Sequence, residues 1–511
     1  KMNSVTAVCA TMTFGKLSLA AALCLTAGSI MTTDALAQAG GAQPATAQTT
    51  ATQAPAATPL PSDPRLVQGE LDNGMRYIVL QHSNPPGKAS MYLHISTGSL
   101  NETDRQRGIA HFLEHMAFNG SENFPAGTVV PFFQSLGLQF GRHQNAFTSF
   151  EQTSYILSLP QANAETLDKG MMFFADVATR LSLDPAEIEA ERQVIMEELR
   201  TGLGPQQRVQ DYLFKNLAPG SLFGERLPIG VEETILGVTR DDFLAYYTKN
   251  YVPSNMTLLV VADAEPAAVI AAITKNFSGG ARVPKPTDQD IGLKPQTQKR
   301  AIVATDAELR GADVSIVRVV PPMSAVTTQE RFREDLVETI GTWIFNRRIE
   351  SKIKSGEASF DDGGGFVGDL FQAMRIAQVS ASGQPEKWEA MLSDLGTELQ
   401  RARLHGFLNS ELEDARKALI AQAEQAMATE STRPAEVVIR QMNTRVAAGE
   451  PIMSAAQELE LLKKHLPQIS LSEVSRAFAE NFAPDAATFV VELPSGGNFP
   501  AAPSEADVVA R

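Results

Sequence analysis

Apolar residues at every second position mark strands, and apolar residues every three to four positions mark helices. The first clear pattern brackets Asp72-Asn73-Gly74, with Leu66–Leu71 before it and Met75–Leu80 after it. Asn-Gly between two such runs signals a hairpin, because both residues tolerate the positive φ that a tight turn needs. Met91–Ser96 and Tyr155–Leu159 continue the strand pattern, and Asn255–Ala262 reads as a buried strand closing a first domain. Helical spacing covers about 162–182 and 186–201; Asp184-Pro185 opens the second with a capping residue and a first-turn proline. Beyond residue 300 the arrangement returns in weaker form, with strands near 301–304 and 314–320, long helices near 327–353 and 410–428, and a final strand at Thr488–Leu493. The pattern predicts two tandem domains, 65–282 and 300–494, the second a weaker repeat of the first. Val283–Lys299 reads as the linker, 38–64 as a flexible tether rich in Ala, Thr, Gln and Pro, and 495–511 as a tail or connector.

At 511 residues the chain exceeds one typical domain, which agrees with that division. Its net charge of −15 argues against nucleic acid or an anionic membrane surface as partner. Near the N-terminus, Lys16 precedes the apolar run Leu17–Leu25, and Ala35-Leu36-Ala37 offers a cleavage site before Gln38. Residues 1–37 therefore read as a secretory signal. The run is short and broken by Thr26, Gly28 and Ser29, so no stable membrane anchor is expected after cleavage. Leu23 before Cys24 does not fit a lipoprotein site. Cys9 and Cys24 would both leave with the signal, and a thiol-free product suits an oxidising bacterial periplasm.

Residues 111–115 read His-Phe-Leu-Glu-His. On a helix, His111 and His115 project from one face a turn apart. Two imidazoles so placed can hold a zinc ion at roughly 2.0–2.1 Å per bond. Glu114 lies close enough to reach a metal-bound water. The H-x-x-E-H order is the inverzincin pattern. Zinc lowers the pKa of its water to about 7, and a neighbouring carboxylate takes the proton as the water attacks a peptide carbonyl. This is peptidase chemistry with Glu114 as general base. A catalytic zinc needs a third protein ligand and an open fourth position. Glu191 and Glu198 lie two turns apart on one helix face, with Val194 and Ile195 between them. Spacing alone leaves two readings open there: a solvated Glu-rich helix, or paired carboxylates turned toward a cation. His143 is not needed as a ligand, and His405 and His465 read as isolated surface residues. A closed structural zinc site would need a fourth protein ligand, and no cysteine is available for it.

Three stretches, Gly108–Phe118, Asn145–Ser149 and Glu191–Glu198, resemble the pitrilysin family of zinc peptidases, and the resemblance extends over most of residues 65–494. It implies one zinc per chain, held by His111, His115 and Glu198, with Glu191 supporting the site from outside. It implies that Asn145, Ala146 and Phe147 lie on an edge strand to which an extended peptide adds by backbone hydrogen bonds, with Ala146 and Phe147 binding through their backbones. Oligopeptides or unfolded segments are then the expected substrates. The resemblance also implies an α+β fold of two tandem homologous domains, each a largely antiparallel sheet packed with helices on one side, the second an inactive copy of the first. Members of the family also use an Arg/Tyr pair from an opposing half to stabilise the oxyanion. The corresponding stretch, Arg347–Phe360, has no tyrosine, and Phe360 cannot donate a hydrogen bond. The expected protein is the catalytic half of a two-half zinc endopeptidase, its complement supplied separately or cut off. The alternative is a non-catalytic binding or scaffold subunit, but such members of the family typically lose the zinc motif, which is retained here.

Overall fold

The computed structural model describes residues 57–202, 204–496 and 501–510. The expected signal, and the tether up to residue 56, lie outside the described residues. The first sheet comprises β1 (Leu66–Glu70), β2 (Arg76–Gln81), β3 (Ala89–Ile95), β4 (Gln144–Thr148), β5 (Thr153–Leu159) and β6 (Met256–Ala262). Their spatial order is β1-β2-β6-β3-β5-β4, antiparallel throughout except between β2 and β6. The β1–β2 hairpin turns where Asn-Gly stands, with Gly74 at φ 93°. The second sheet comprises β7 (Arg300–Asp306), β8 (Ala312–Val320), β9 (Asp362–Leu370), β10 (Met374–Gly383) and β11 (Thr488–Pro494), in the order β7-β11-β8-β10-β9. Only β7 and β11 run parallel. Strand for strand, the second sheet repeats β2-β6-β3-β5-β4.

Each half packs its own helices on one face of its sheet, as the resemblance implies. In the first, Met91, Leu93, Leu157 and Val260 bury against Phe112, Phe174 and Phe243. The opposite faces are covered reciprocally, which local patterning does not reveal. Helix Ala435–Ala448 of the second half lays Ile439 and Met442 on Leu80, Leu259 and Val261 of the first sheet. Helix Pro205–Leu217 of the first half lays Val209, Leu213 and Phe214 in the cluster with Val317, Ile376 and Val490 of the second sheet. Each fully buried aliphatic side chain contributes roughly 1.5–3 kcal/mol relative to exposure, so this exchange binds the halves into one body. A polar pin sits beneath helix Ala435–Ala448. There His94 Nδ1–H donates to Asn443 Oδ1 at 3.0 Å, and Asn443 Nδ2 donates to Gln152 Oε1 at 3.0 Å. Burial pushes the His94 pKa down to about 4.

Three local expectations are corrected. The tether does not extend to residue 64: Leu60 N–H donates to Thr327 O and Asp63 N–H to Ile452 O, both at 2.8 Å, and Leu60 packs with Val326 and Leu461. His465 is buried rather than on the surface, at the end of helix Ala455–His465 and facing Phe332. The β9–β10 hairpin has no counterpart among the strands read from the sequence.

Candidate metal centre

The histidine helix, Ile109–Met116, is buried along its whole length. Glu102 secures its N-terminus: Gly108 N–H donates to Oε2 and Ala110 N–H to Oε1, both at 2.9 Å. Its two oxygens satisfy two amides that have no partner within the helix. Burial pushes the Glu102 pKa up to about 8, against the two amide donors and the charges of Arg226 and Arg107. Sequence reasoning missed Glu102, because it precedes the helix by more than the spacing of a capping box.

The glutamate helix, Pro185–Thr201, is capped as its sequence requires, with Asp184 accepting from Ala186 N–H at 2.8 Å. It resolves the two readings of its carboxylates, because Glu191 and Glu198 both turn onto the histidine helix. Glu198 Oε2 lies 3.4 Å from His115 Nε2, and Glu198 Oε1 lies 3.8 Å from His111 Nε2. Glu191 Oε1 is 2.7 Å from His115 Nδ1, and Asn119 Nδ2 donates to Glu191 Oε2 at 2.7 Å. A carboxylate accepting from Nδ1–H fixes the orientation of the ring, with Nε2 facing Glu198.

The His111, His115 and Glu198 ligand atoms lie within 4.8 Å of one another, and they form the one such group of three among the described residues. Glu198 Oε1 is buried there without a hydrogen-bond partner. Burial and the charge of His115 push the His111 pKa down to about 4, against the pull of Glu198 and Glu191, so the ring is neutral near pH 7. Burial acts to raise the Glu198 pKa, but its hydrogen bond to His115 and the charges of both histidines outweigh burial and lower it. Two imidazoles and a carboxylate, with one oxygen left unpaired, form a donor set that fits a zinc ion.

Glu114 is 1% exposed and accepts a hydrogen bond from Thr148 Oγ1 at 2.7 Å, which ties the prospective base to the end of β4. β4 is the outermost strand of its sheet. Ser158 N–H donates to His143 O and Ser149 N–H to Gln152 O, which sets the hydrogen-bonding phase of the β4–β5 pair. By antiparallel alternation Asn145 and Phe147 bond toward β5, while the N–H and C=O of Ala146 face the open edge. The expectation that Phe147 binds a peptide through its backbone is thereby corrected, because its N–H and C=O are taken by β5. The Ala146 side chain points to the helix side, whereas Phe147 packs on the opposite face, among the residues under helix Ala435–Ala448. His143 stands outside the triad and accepts Gln139 N–H through Nδ1 at 3.0 Å.

The second half has no equivalent group among the described residues. Arg348 is committed to Glu411, at 2.6 and 2.7 Å, and Phe360 is buried in the core. All seven tyrosines lie between positions 77 and 251.

Two matched α/β halves, with a His-His-Glu triad in the first alone, have the layout of a paired-domain metallopeptidase. The chain belongs to peptidase family M16: the insulinase signature of that family matches residues 77–220, and its inactive-domain signature matches residues 237–419. Among its relatives, the probable zinc protease PqqL of Escherichia coli is 28% identical over 430 residues, covering 83% of this chain and 46% of that protein. A zinc protease PQQL-like of Arabidopsis thaliana is 28% identical over 410 residues, 80% of this chain and 40% of that protein. This chain thus spans less than half the length of these relatives. The crystal structure of the first half of the periplasmic protease PqqL from Escherichia coli superposes with a TM-score of 0.81 at 27% identity, covering 86% of this chain and 94% of that one.

Proposed function

We propose that this chain is the zinc-binding, catalytic half of an endopeptidase that cleaves extended peptide segments. The observation that carries the reading is the junction of three elements: the triad on two helices, and Glu114 held by Thr148 at the end of an open edge strand. A peptide pairing with Ala146 along that edge would lie beside Glu114 in extended form, so folded substrates would be excluded. A zinc ion held by His111, His115 and Glu198 supplies Lewis-acid polarisation and makes water acidic enough to ionise near neutral pH. Glu114 accepts the proton of the attacking water and passes it to the leaving amine. Thr148 fixes the carboxylate, and Glu191 keeps His115 in the ligating tautomer. The donor that stabilises the oxyanion is expected from a complementary half, because the second half of this chain has no tyrosine. Export to the periplasm is part of the proposal; it rests on the N-terminal signal pattern and the periplasmic PqqL, and among the described residues no helix is long and apolar enough to cross a membrane.

Metal analysis paired with turnover of an internally quenched, unstructured peptide tests the reading. One zinc per chain, with cleavage that Glu114→Gln removes, supports it. A chain that takes up no zinc, or cleavage that survives Glu114→Gln, contradicts it. A stable monomer with full turnover would overturn the half-enzyme part.

A further inference from the structure

Hairpin tips ordinarily meet solvent. The tip of β4–β5 does not. Phe150, in the turn between Thr148 and Thr153, is 3% exposed. Its ring stacks on Phe223 at 4.3 Å and meets Phe371 at 4.9 Å and Phe214 at 5.8 Å. Phe371 comes from the other half of the chain. It sits at the tip of β9–β10, the hairpin that corresponds to β4–β5, so the two hairpins meet tip to tip.

The turn that presents Phe371 is strained. Phe371 and Gln372 have φ of 52° and 51°, and Ala373 N–H closes the turn on Leu370 O at 2.9 Å. Two consecutive left-handed residues suit Asn-Gly, not Phe-Gln. A left-handed non-glycine pair persists only where the surroundings over-determine it. Here the contact is the aromatic cluster under Phe150.

From Phe150 the connection continues toward the metal centre. Leu100 N–H donates to Phe150 O at 2.9 Å, and Ser99 N–H donates to Ser149 O at 3.1 Å. Gly98 permits this approach, since a Cβ there would lie 2.2 Å from Ser149 O. The same segment leads into Glu102, which holds the N-terminus of the histidine helix.

We propose that Phe371 is a positioning residue: from the second half it holds the β4–β5 hairpin, and with it the peptide-binding edge at Ala146, in place against Glu114. The proposal rests on the peptidase reading and gives the half without metal ligands a part in substrate capture.

The test uses the full, zinc-loaded chain carrying Phe371→Asn with Gln372→Gly, a change that installs a favoured turn and removes the ring. Gln372→Gly alone is the control that relieves strain and keeps the ring. In the double variant, amide exchange across β4 and β5 should quicken about three- to tenfold, with a matching rise in KM for an unstructured peptide. Zinc content should stay the same and kcat should change by less than about twofold. Phe371→Trp and the control should behave as wild type. Unchanged exchange and KM in the double variant overturn the proposal. Exchange that quickens equally throughout both halves, or zinc lost with the ring, also overturns it, because either marks general unfolding. If the wild-type chain takes up no zinc, the peptidase reading fails by itself. If it binds zinc but does not cleave the peptide alone, it is a half-enzyme without its complement. In either case amide exchange decides whether Phe371 holds the hairpin.

Discussion

In the first half, the histidine helix lies beside β4 and gives it Glu114, which grips Thr148 at the strand end and leaves the edge at Ala146 open. In the second half, helix Gln329–Lys354 lies against β9, the matching edge strand, and gives it Asn346. Gly365 N–H donates to Asn346 Oδ1 at 2.5 Å, and Asn346 Nδ2 donates to Gly365 O at 3.1 Å. One carboxamide thus makes the pair of bonds that an added strand would make. The approach is close: a Cβ on Gly365 would lie 3.1 Å from the Phe345 ring, and one on Gly364 3.1 Å from Asn346 Oδ1. The sheet is common to both halves, and the chemistry is local. At this one helix–edge junction the first half keeps the His-His-Glu group and an open edge, and among the described residues the second has neither.

The sharpest way to break the comparison is to remove the base. Glu114→Gln should lower kcat by about 10²- to 10⁴-fold with zinc retained, read as steady-state turnover beside metal analysis. A loss under tenfold would remove Glu114 from the mechanism.

The seam between the halves comes next. His94 is 1% exposed, and burial depresses its pKa from 6.5 to about 4. A depressed histidine contributes stability that is present above its unfolded pKa and lost as pH falls through the folded one. About 3 kcal/mol should therefore disappear between pH 6.5 and about 4. Urea unfolding at pH 7 and pH 4 would show it as a difference that His94→Gln flattens. An equal slope in both proteins would count against the pin.

Glu191→Ala should weaken zinc binding by about 10- to 100-fold while the fold persists, measured by competition with a chelator. The smallest effect is expected in the second half. Asn346→Ala should cost about 1 kcal/mol in urea unfolding and speed amide exchange in β9, without altering zinc content. Loss of zinc in that variant would show that the two junctions are not independent.

Much of this was legible in the sequence because the signals are local. Asp184-Pro185 places the glutamate helix to the residue, and Asn73-Gly74 fixes the first hairpin. The spacing of His111 and His115 places both rings on one buried face. What the sequence hides is either long-range or locally contradictory. Glu191 and Glu198 look like a solvated run until the histidine helix is set beside them. Gly363, Gly364 and Gly365 carry no strand-forming side chains, yet they form a strand against a helix that approaches too closely for side chains. Phe371-Gln372 carries no turn signal, so the β9–β10 hairpin is invisible until its strain is seen together with its contacts. His465 looks like a surface residue because nothing nearby announces Phe332, more than a hundred positions away.

The most direct test of a metal held by the His-His-Glu group is metal analysis of the purified chain and of Glu198→Ala, each after dialysis against a competing chelator. The wild type should hold one zinc per chain and the variant should lose it. No zinc in the wild type, or a stoichiometric zinc that survives removal of Glu198, would contradict the assignment.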